Sequence, residues 1–465
     1  MPVETHAKDT RPNIIFIVAD AITANDMSLF GYTLPTTPKL DEITKTWTVY
    51  SNAQSPLTCT VAALPTLLTG RYTNINNFQY YGDQITSQPG WLSIPNALEQ
   101  EGYQTWWSGY HSPGFYHMGG VFQENVCRTN ESLFVALSHS WFKPRAISKI
   151  HFPFIPATFD WLGYIESGQT EFDRCEKLDS LDSLLRNGSA TPPYFIYYHY
   201  QGSHGIPYPA GESLGVFLPV SEGLITESEQ RTVYGSYKPE EQPAVDKLRL
   251  RYDEAIADQD QKLADFIESL KQQGLYDSAM IIITSDHGQN FTNGFSSHCT
   301  PLVSNAEAHV PLLVKYPYQT EGKWIDSLVS TIDIAPTILD VAGLAYPENW
   351  FDGISLNRQA AQAETNRIVF TRRYDYYSKL VPVEIAATDG KYRMVMRGKK
   401  LFLFDAKNDP LEEVNLLEQN GYEQMPEIQI LEQALKNYQQ RAQLLQSGGG
   451  ILSATPLSSQ PTSHP

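Results

Sequence analysis

Three short β-prone runs, each leading into acid or imidazole side chains, constrain the fold of this chain more than any other feature. Asn13–Ala19 is a continuous apolar run closed by Asp20. Tyr194–Tyr200 leads to His204, and Met280–Thr284 leads through Ser285 to Asp286 and His287. A strand with no polar face is covered on both sides, as strands of parallel sheets are. Arg251–Gln273 carries Ala255, Ile256, Leu263, Ile267 and Leu270 at helical spacing and ends at Gly274, just ahead of the third run. Helix feeding into buried strand predicts an α/β sandwich: a central, mostly parallel sheet flanked by helices. Ligands of such sheets sit beyond the carboxyl ends of the strands. Asp20, His204, Asp286 and His287 all fall there.

Beyond Pro311 a further strand is expected at Leu312–Lys315, and Asp333-Ile334-Ala335-Pro336-Thr337 opens a helix. From about residue 365 the pattern changes to short strands. Lys391–Arg397 and Lys400–Phe404 flank Gly398 as a hairpin, and a helix follows near Gln424–Gln446. The 465 residues therefore divide into a polar, disordered tail (1–11), a catalytic domain (12–360), a small C-terminal α+β subdomain (361–446) and a disordered tail rich in Gly, Ser, Pro and Thr (447–465).

With 34 Lys and Arg against 52 Asp and Glu, the net charge of −18 argues against nucleic acid as a partner. No apolar segment reaches the roughly 18 residues of a membrane-spanning helix, so no integral membrane segment is expected. Met1–Asp9 lacks the basic and apolar regions of a signal peptide. Cys59, Cys127, Cys175 and Cys299 are scattered, without zinc-type pairs, and read as separate thiols of a reducing, cytoplasmic compartment.

Ser285-Asp286-His287-Gly288 places a carboxylate and an imidazole side by side at a strand end, where both can ligate one divalent cation. Taken singly, such a pair is more often an ordinary turn, Asp20 a helix cap, and His204 or His298 a structural histidine. Gathered where strands end, they point to a metal cluster. Thr60 opens the segment Thr60-Val61-Ala62-Ala63-Leu64-Pro65-Thr66-Leu67-Leu68-Thr69-Gly70-Arg71. By itself it reads as a helix N-cap. Beside a metal, its hydroxyl could become a nucleophile facing backbone amides.

Asn13 to Tyr32, with Asp20 and Phe30-Gly31-Tyr32, resembles the first motif of sulfatases and of lipid-A-type phosphoethanolamine transferases. Leu67-Leu68-Thr69-Gly70-Arg71 is similar to the segment that begins seven residues after the sulfatase catalytic cysteine, and seven residues before Leu67 stands Thr60. A sulfatase carries Cys there, oxidised to formylglycine, with Pro or Ala two residues on and Arg four on; here stand Thr60, Ala62 and Leu64. Phosphoethanolamine transferases use Thr at that place. Gly202-Ser203-His204-Gly205, Arg251-Tyr252-Asp253-Glu254-Ala255-Ile256, Ser285-Asp286-His287-Gly288, His298-Cys299-Thr300-Pro301 and His309-Val310-Pro311 also resemble that family. The transferases usually have Glu in place of Asp20, and their membrane domain and the cysteines flanking the nucleophile are missing. The C-terminal part resembles sulfatases in Asp333-Ile334-Ala335-Pro336-Thr337 and Asp352-Gly353-Ile354-Ser355-Leu356.

The resemblance implies that Asp20, Thr60, Asp286 and His287 hold a divalent metal. Zinc is the expected ion, with manganese or calcium as alternatives. It implies that His204, His298 and His309 contact substrate or a second metal. The expected reaction is phosphoryl-group transfer through Thr60: a phosphoethanolamine or similar phospho-alcohol moves from a small phosphodiester or phospholipid-headgroup donor to a hydroxyl-bearing acceptor, for instance a glycan. The alternative is a sulfatase-like hydrolase, cleaving phosphodiesters or sulfuric esters without formylglycine. A glycan-binding pseudoenzyme is the remote reading.

Overall fold

A computed structural model describes residues 11–72, 93–109, 121–126, 178–200, 203–204, 211–347, 350–359, 367–373 and 384–446. Of the two expected tails, 1–11 and 447–465, all but Arg11 falls outside it. Among the described residues, eleven strands precede residue 331: β1 (Ile14–Ala19), β2 (Thr48–Gln54), β3 (Gln104–Gly109), β4 (Glu124–Asn125), β5 (Tyr194–Tyr200), β6 (Gly235–Ser236), β7 (Met280–Ser285), β8 (Phe295–Ser296), β9 (His309–Lys315), β10 (Lys323–Ile325) and β11 (Val329–Ser330). Nine form the main sheet in the order β10-β2-β9-β7-β1-β5-β3-β4, with β11 extending β2, while β6 and β8 pair with each other. Within the main sheet only β9 runs antiparallel to its neighbours, β2 and β7. The sheet is mostly parallel, as the buried runs require.

Every residue of β1 is buried. Ile14, Phe16 and Val18 pack with Leu64, Leu67, Leu68 and Ile338 on one face. Ile15 and Ile17 pack with Leu248, Tyr252, Ile256 and Leu263 on the other. Each such side chain contributes about 1.5–3 kcal/mol of burial. The helices responsible are Thr60–Thr69 and Ile334–Val341 on the first face and Gln242–Gln272 on the second.

Several motifs prove to be joints of this frame. Gly70 ends the Thr60–Thr69 helix at φ 62°, and a Cβ there would lie 2.7 Å from Phe351 and 2.8 Å from Ala335. Only glycine suits both the left-handed turn and that approach. Asp333 accepts from the backbone of Ser330 and Ile354 and from both arms of the Arg367 guanidinium. Buried Arg251 donates to the carbonyls of Leu218, Pro219 and Gly223 and to Glu254 Oε2 at 2.8 Å. Glu254 Oε1 collects the amides of Gly215, Phe217 and Leu218. The long helix thereby staples the 215–223 loop through one buried ion pair.

A second, antiparallel sheet follows: β12 (Val369–Arg372), β13 (Glu384–Thr388), β14 (Tyr392–Arg397) and β15 (Lys400–Asp405). The helix Pro426–Gln446 covers it, packing Ile428, Leu431, Leu435 and Tyr438 against Phe370, Ile385, Met394 and Leu403. Thr371 Oγ1 donates to Ser55 O and the Arg372 amide to Pro56 O, so β12 braces the segment that leads to Thr60.

Candidate active site

β1 lies between β5 and β7, parallel to both, in a register that sets Ala19 opposite Tyr200 and Ser285. Asp20 and Asp286 therefore emerge side by side, and His199 comes beside them from β5. Ala21 takes a left-handed φ of 61°, turning the chain so that its amide reaches Asp286 Oδ1 at 3.3 Å. Tyr252 Oη accepts from the Thr23 amide and donates to Ala21 O, backing this turn. Gly288 passes so close to the 305–308 segment that a Cβ would lie 2.1 Å from Ala306 O. The strand end is thus locked by the Asp286 and Tyr252 side chains and by the close approach of Gly288 to the backbone of Ala306.

Asp20, His199 and Asp286 each offer a ligand atom, all within 4.8 Å of one another. His199 Nε2 is 3.5 Å from Asp20 Oδ2, and His287 Nε2 is 3.6 Å from Asp20 Oδ1 and 3.5 Å from Asp286 Oδ2. His287 Nδ1 faces Gly288 O at 3.0 Å, so it bears the hydrogen and leaves the Nε2 lone pair toward the carboxylates. Asp286 Oδ2 is buried with no hydrogen bond. Burial, and next the Asp286 charge, push the Asp20 carboxyl well above its usual range. Two buried carboxylates around imidazole lone pairs form an electron-rich pocket, and a divalent cation fits such a donor set.

Thr60 Oγ1 enters the same pocket, 3.0 Å from His287 Nε2 and 3.4 Å from each Asp20 oxygen. Thr60 is not the cap of its helix: Cys59 holds that position in extended backbone, without a side-chain cap bond. Thr60 is the first residue inside, where helix amides lack internal partners and attract negative charge.

The expectation of four separate thiols is corrected here. Cys59 is joined to Cys299, 240 positions away in sequence, while Cys127 and Cys175 lie outside the described residues. The Cys299 amide also donates to Thr58 O. The bond ties the residue before Thr60 to the residue after His298. Closing so long a loop is worth ~2–4 kcal/mol in the unfolded ensemble. Reduction is expected to lower the thermal unfolding midpoint, read by scanning fluorimetry with and without a phosphine reductant; an unchanged midpoint despite two freed thiols contradicts it.

His298 stacks on His287 with ring centroids 4.7 Å apart and meets His204 at 4.6 Å. Burial, and next His287, bring His204 down to about 4; burial, and next His204, hold His298 well below its usual value. Burial likewise lowers His199 to about 4. The three imidazoles are neutral near pH 7. His309 stands apart from this cluster at the start of β9, with Nδ1 2.8 Å from Asn25 Oδ1 and Nε2 2.9 Å from Ser51 O. Both its nitrogens are engaged in joining β9 to its neighbours, which leaves no ring nitrogen for substrate or a second metal.

Neither His199, which lies within an aromatic strand, nor Gln289, whose Oε1 is 2.9 Å from His298 Nδ1, stands out in the sequence. The available signal for His199 was its place next to the end of a strand that pairs with β1, and pairing is invisible before folding.

The model of the Sulfatase family matches residues 12–344, and that of the N-sulphoglucosamine sulphohydrolase C-terminal region matches residues 301–441. Arylsulfatase K of Bos taurus is 24% identical over 383 residues, covering 77% of this chain and 67% of the relative. N-acetylglucosamine-6-O-sulfatase of Bacteroides thetaiotaomicron is 22% identical, covering 92% and 87%. Among solved structures, one protein in complex with its substrate D-glucosamine-2-N,6-O-disulfate superposes with a TM-score of 0.68 at 18% identity, covering 93% of this chain and 98% of that one. Phosphonate monoester hydrolase of Agrobacterium radiobacter gives 0.64 at 18% identity, covering 92% and 96%. None of these four is a phosphoethanolamine transferase.

Proposed function

The chain belongs to the sulfatase family, whose members bind a divalent metal, and from that premise we propose that it hydrolyses a monoanionic ester, foremost a sulfate ester on a sugar hydroxyl, with Thr60 as nucleophile. The observation that carries this reading is the seating of Thr60 Oγ1 3.0 Å from His287 Nε2 and 3.4 Å from both Asp20 oxygens. Asp20, Asp286 and His287 would hold the ion, with His199 beside them and Thr60 facing it. Mixed imidazole and carboxylate donors suit zinc, with manganese and calcium as alternatives. A divalent cation bound there supplies Lewis-acid charge and lowers the pKa of a neighbouring hydroxyl.

The remaining work falls to the chain. Thr60 gives its hydroxyl proton to solvent, the ionised oxygen attacks sulfur, the ester oxygen leaves with its bonding pair and takes a proton from solvent, and a sulfated threonine remains. Thr60 carries a single hydroxyl, which the sulfate ester uses up. Its ester is therefore released by a second in-line attack, with water as acceptor. A hydroxyl acceptor in place of water would give the transfer reaction expected from the sequence, but the sulfatase relatives favour water.

Charge sets the substrate class. Two carboxylates offset a divalent cation, and burial keeps the imidazoles of His199, His204 and His298 neutral. A dianionic phosphate monoester is poorly matched to so neutral a site, whereas sulfate monoesters, phosphonate monoesters and phosphodiesters carry one charge. The structural likeness to a phosphonate monoester hydrolase supports that second group. With the metal-loaded enzyme, nitrophenyl sulfate, a nitrophenyl phosphonate and a bis-nitrophenyl phosphate are expected to turn over ~10-fold or more faster, by kcat/KM, than nitrophenyl phosphate; one charge-matching penalty of ~1.4 kcal/mol is a factor of ten. Preference for the phosphate monoester contradicts the charge argument. Release of sulfate from glucosamine-6-sulfate then separates the sugar-sulfate reading from the phospho-ester one.

A further inference from the structure

The bond between Cys59 and Cys299 joins two segments of the site and is open to solvent at one end. Cys59 stands immediately before Thr60, at the cap of the Thr60–Thr69 helix, and its carbonyl accepts from the amides of Ala62 at 3.2 Å and Ala63 at 2.9 Å. Cys299 follows His298, whose ring packs on His287. Cys59 is 6% exposed, whereas Cys299 is an exposed residue. Cys299 also holds a left-handed φ of 53°, a conformation that a residue with a side chain seldom takes unless its surroundings impose it. Two ties impose it here: the sulfur bond, and the Cys299 amide donating to Thr58 O at 3.1 Å. Unpaired amides at a helix N-terminus stabilise a thiolate, so Cys59 is the better leaving group of the two.

We propose that Cys59–Cys299 is a thiol–disulfide exchange site, and that its opening by a small dithiol turns the active site down without unfolding the chain. A thiolate of the dithiol attacks the exposed Cys299 sulfur, and the sulfur–sulfur bond breaks with its electron pair going to Cys59. The second thiolate of the dithiol then attacks the mixed disulfide and releases Cys299. The protein gains two electrons, the dithiol leaves as a cyclic disulfide, and its two protons end on the two cysteines. With one of its two ties gone, the chain at Cys299 relaxes toward an ordinary φ. The start of the Thr60 helix and the seat of His298 beside His287 then loosen together. Neither cysteine belongs to the two core clusters that hold the main sheet, so the effect is confined to the site. Misplacing a reacting group by about 1 Å costs on the order of 100-fold in rate.

The test compares the zinc-loaded full chain before and after dithiothreitol, with the dithiol removed, zinc content measured again and the freed thiols mapped by alkylation and mass spectrometry. Reduction should lower kcat on the best ester by ~10–100-fold at equal zinc content, and reoxidation by oxidised glutathione should restore it to within about twofold. Hydrogen exchange should speed by ~10-fold or more in peptides covering residues 59–63 and 297–300, while β1 and β7 keep their protection. Cys299→Ser should sit at the reduced rate and ignore the dithiol. The kinetic arm rests on the reaction proposed above; the exchange arm does not. A bond that opens only in denaturant, a reduced enzyme with the oxidised kcat, or a reduced chain that unfolds at the assay temperature overturns the inference. So does a Cys299→Ser enzyme that works at the oxidised rate or still responds to the dithiol. Should that variant fail to fold, reduction and reoxidation of the wild type decide. Should no ester turn over, the reaction reading fails and hydrogen exchange alone decides, with unchanged protection in both peptides overturning the switch.

Discussion

Thr60→Ala is expected to lower kcat on the best ester by at least ~10³-fold, because it removes the attacking atom and leaves every other group in place. Thr60 Oγ1 is the one hydroxyl among the described residues whose contacts include both His287 Nε2 and the Asp20 carboxylate. The substitution deletes a methyl and a hydroxyl at the first residue of a buried helix, a small perturbation of packing. Cys59, which occupies the cap position, is untouched. Thr60→Ser should recover most of the rate, since it restores the oxygen. Steady-state kinetics on both variants, with metal content measured in parallel, tells loss of nucleophile from loss of ion. A Thr60→Ala enzyme working near the wild-type rate would remove the hydroxyl from the mechanism.

The second large effect is on stability. Glu254→Ala should destabilise the fold by ~3–5 kcal/mol, because it strands the Arg251 charge, whose side chain is 0% exposed. It also strips the acceptor from the amides of Gly215, Phe217 and Leu218. Buried groups left without partners cost about 1–3 kcal/mol apiece, with partial relief if water enters. The measurement is the thermal midpoint by calorimetry, together with proteolysis near residues 215–223, where the stapled loop should become the first cut. Replacing the pair together, as Arg251→Met with Glu254→Gln, should cost less than Glu254→Ala alone. Equal midpoints for Glu254→Ala and wild type would show that the ion pair does not hold the loop.

What could be read before folding follows from how each element comes to be buried. β1, β5 and β7 were legible because both faces are covered, so their sequences are unbroken apolar or aromatic runs. β2 reads Thr-Val-Tyr-Ser-Asn-Ala-Gln and β3 reads Gln-Thr-Trp-Trp-Ser-Gly, mixed patterns that carry no such signal. β9 begins at His309, ahead of the expected Leu312, because the imidazole bonds sideways to Ser51 O. Asp20, Asp286 and His287 were legible as residues at strand ends, and Thr60 through its distance from Leu67. His199 was hidden by its aromatic neighbours. The Cys59–Cys299 bond depends on strand order alone, since 240 positions separate its ends. Resemblance to the transferases drew on Thr60 and on short stretches such as Gly202-Ser203-His204-Gly205 and His298-Cys299-Thr300-Pro301, whereas the sulfatase match runs through residues 12–344.

Anomalous diffraction from crystals of the metal-loaded enzyme, collected on either side of the zinc edge, tests the central claim most directly. One strong peak is expected at about 2.0–2.3 Å from Asp20, Asp286 and His287 and from the Thr60 oxygen. A peak coordinated elsewhere, or none in that pocket under saturating zinc, manganese or calcium, would contradict it.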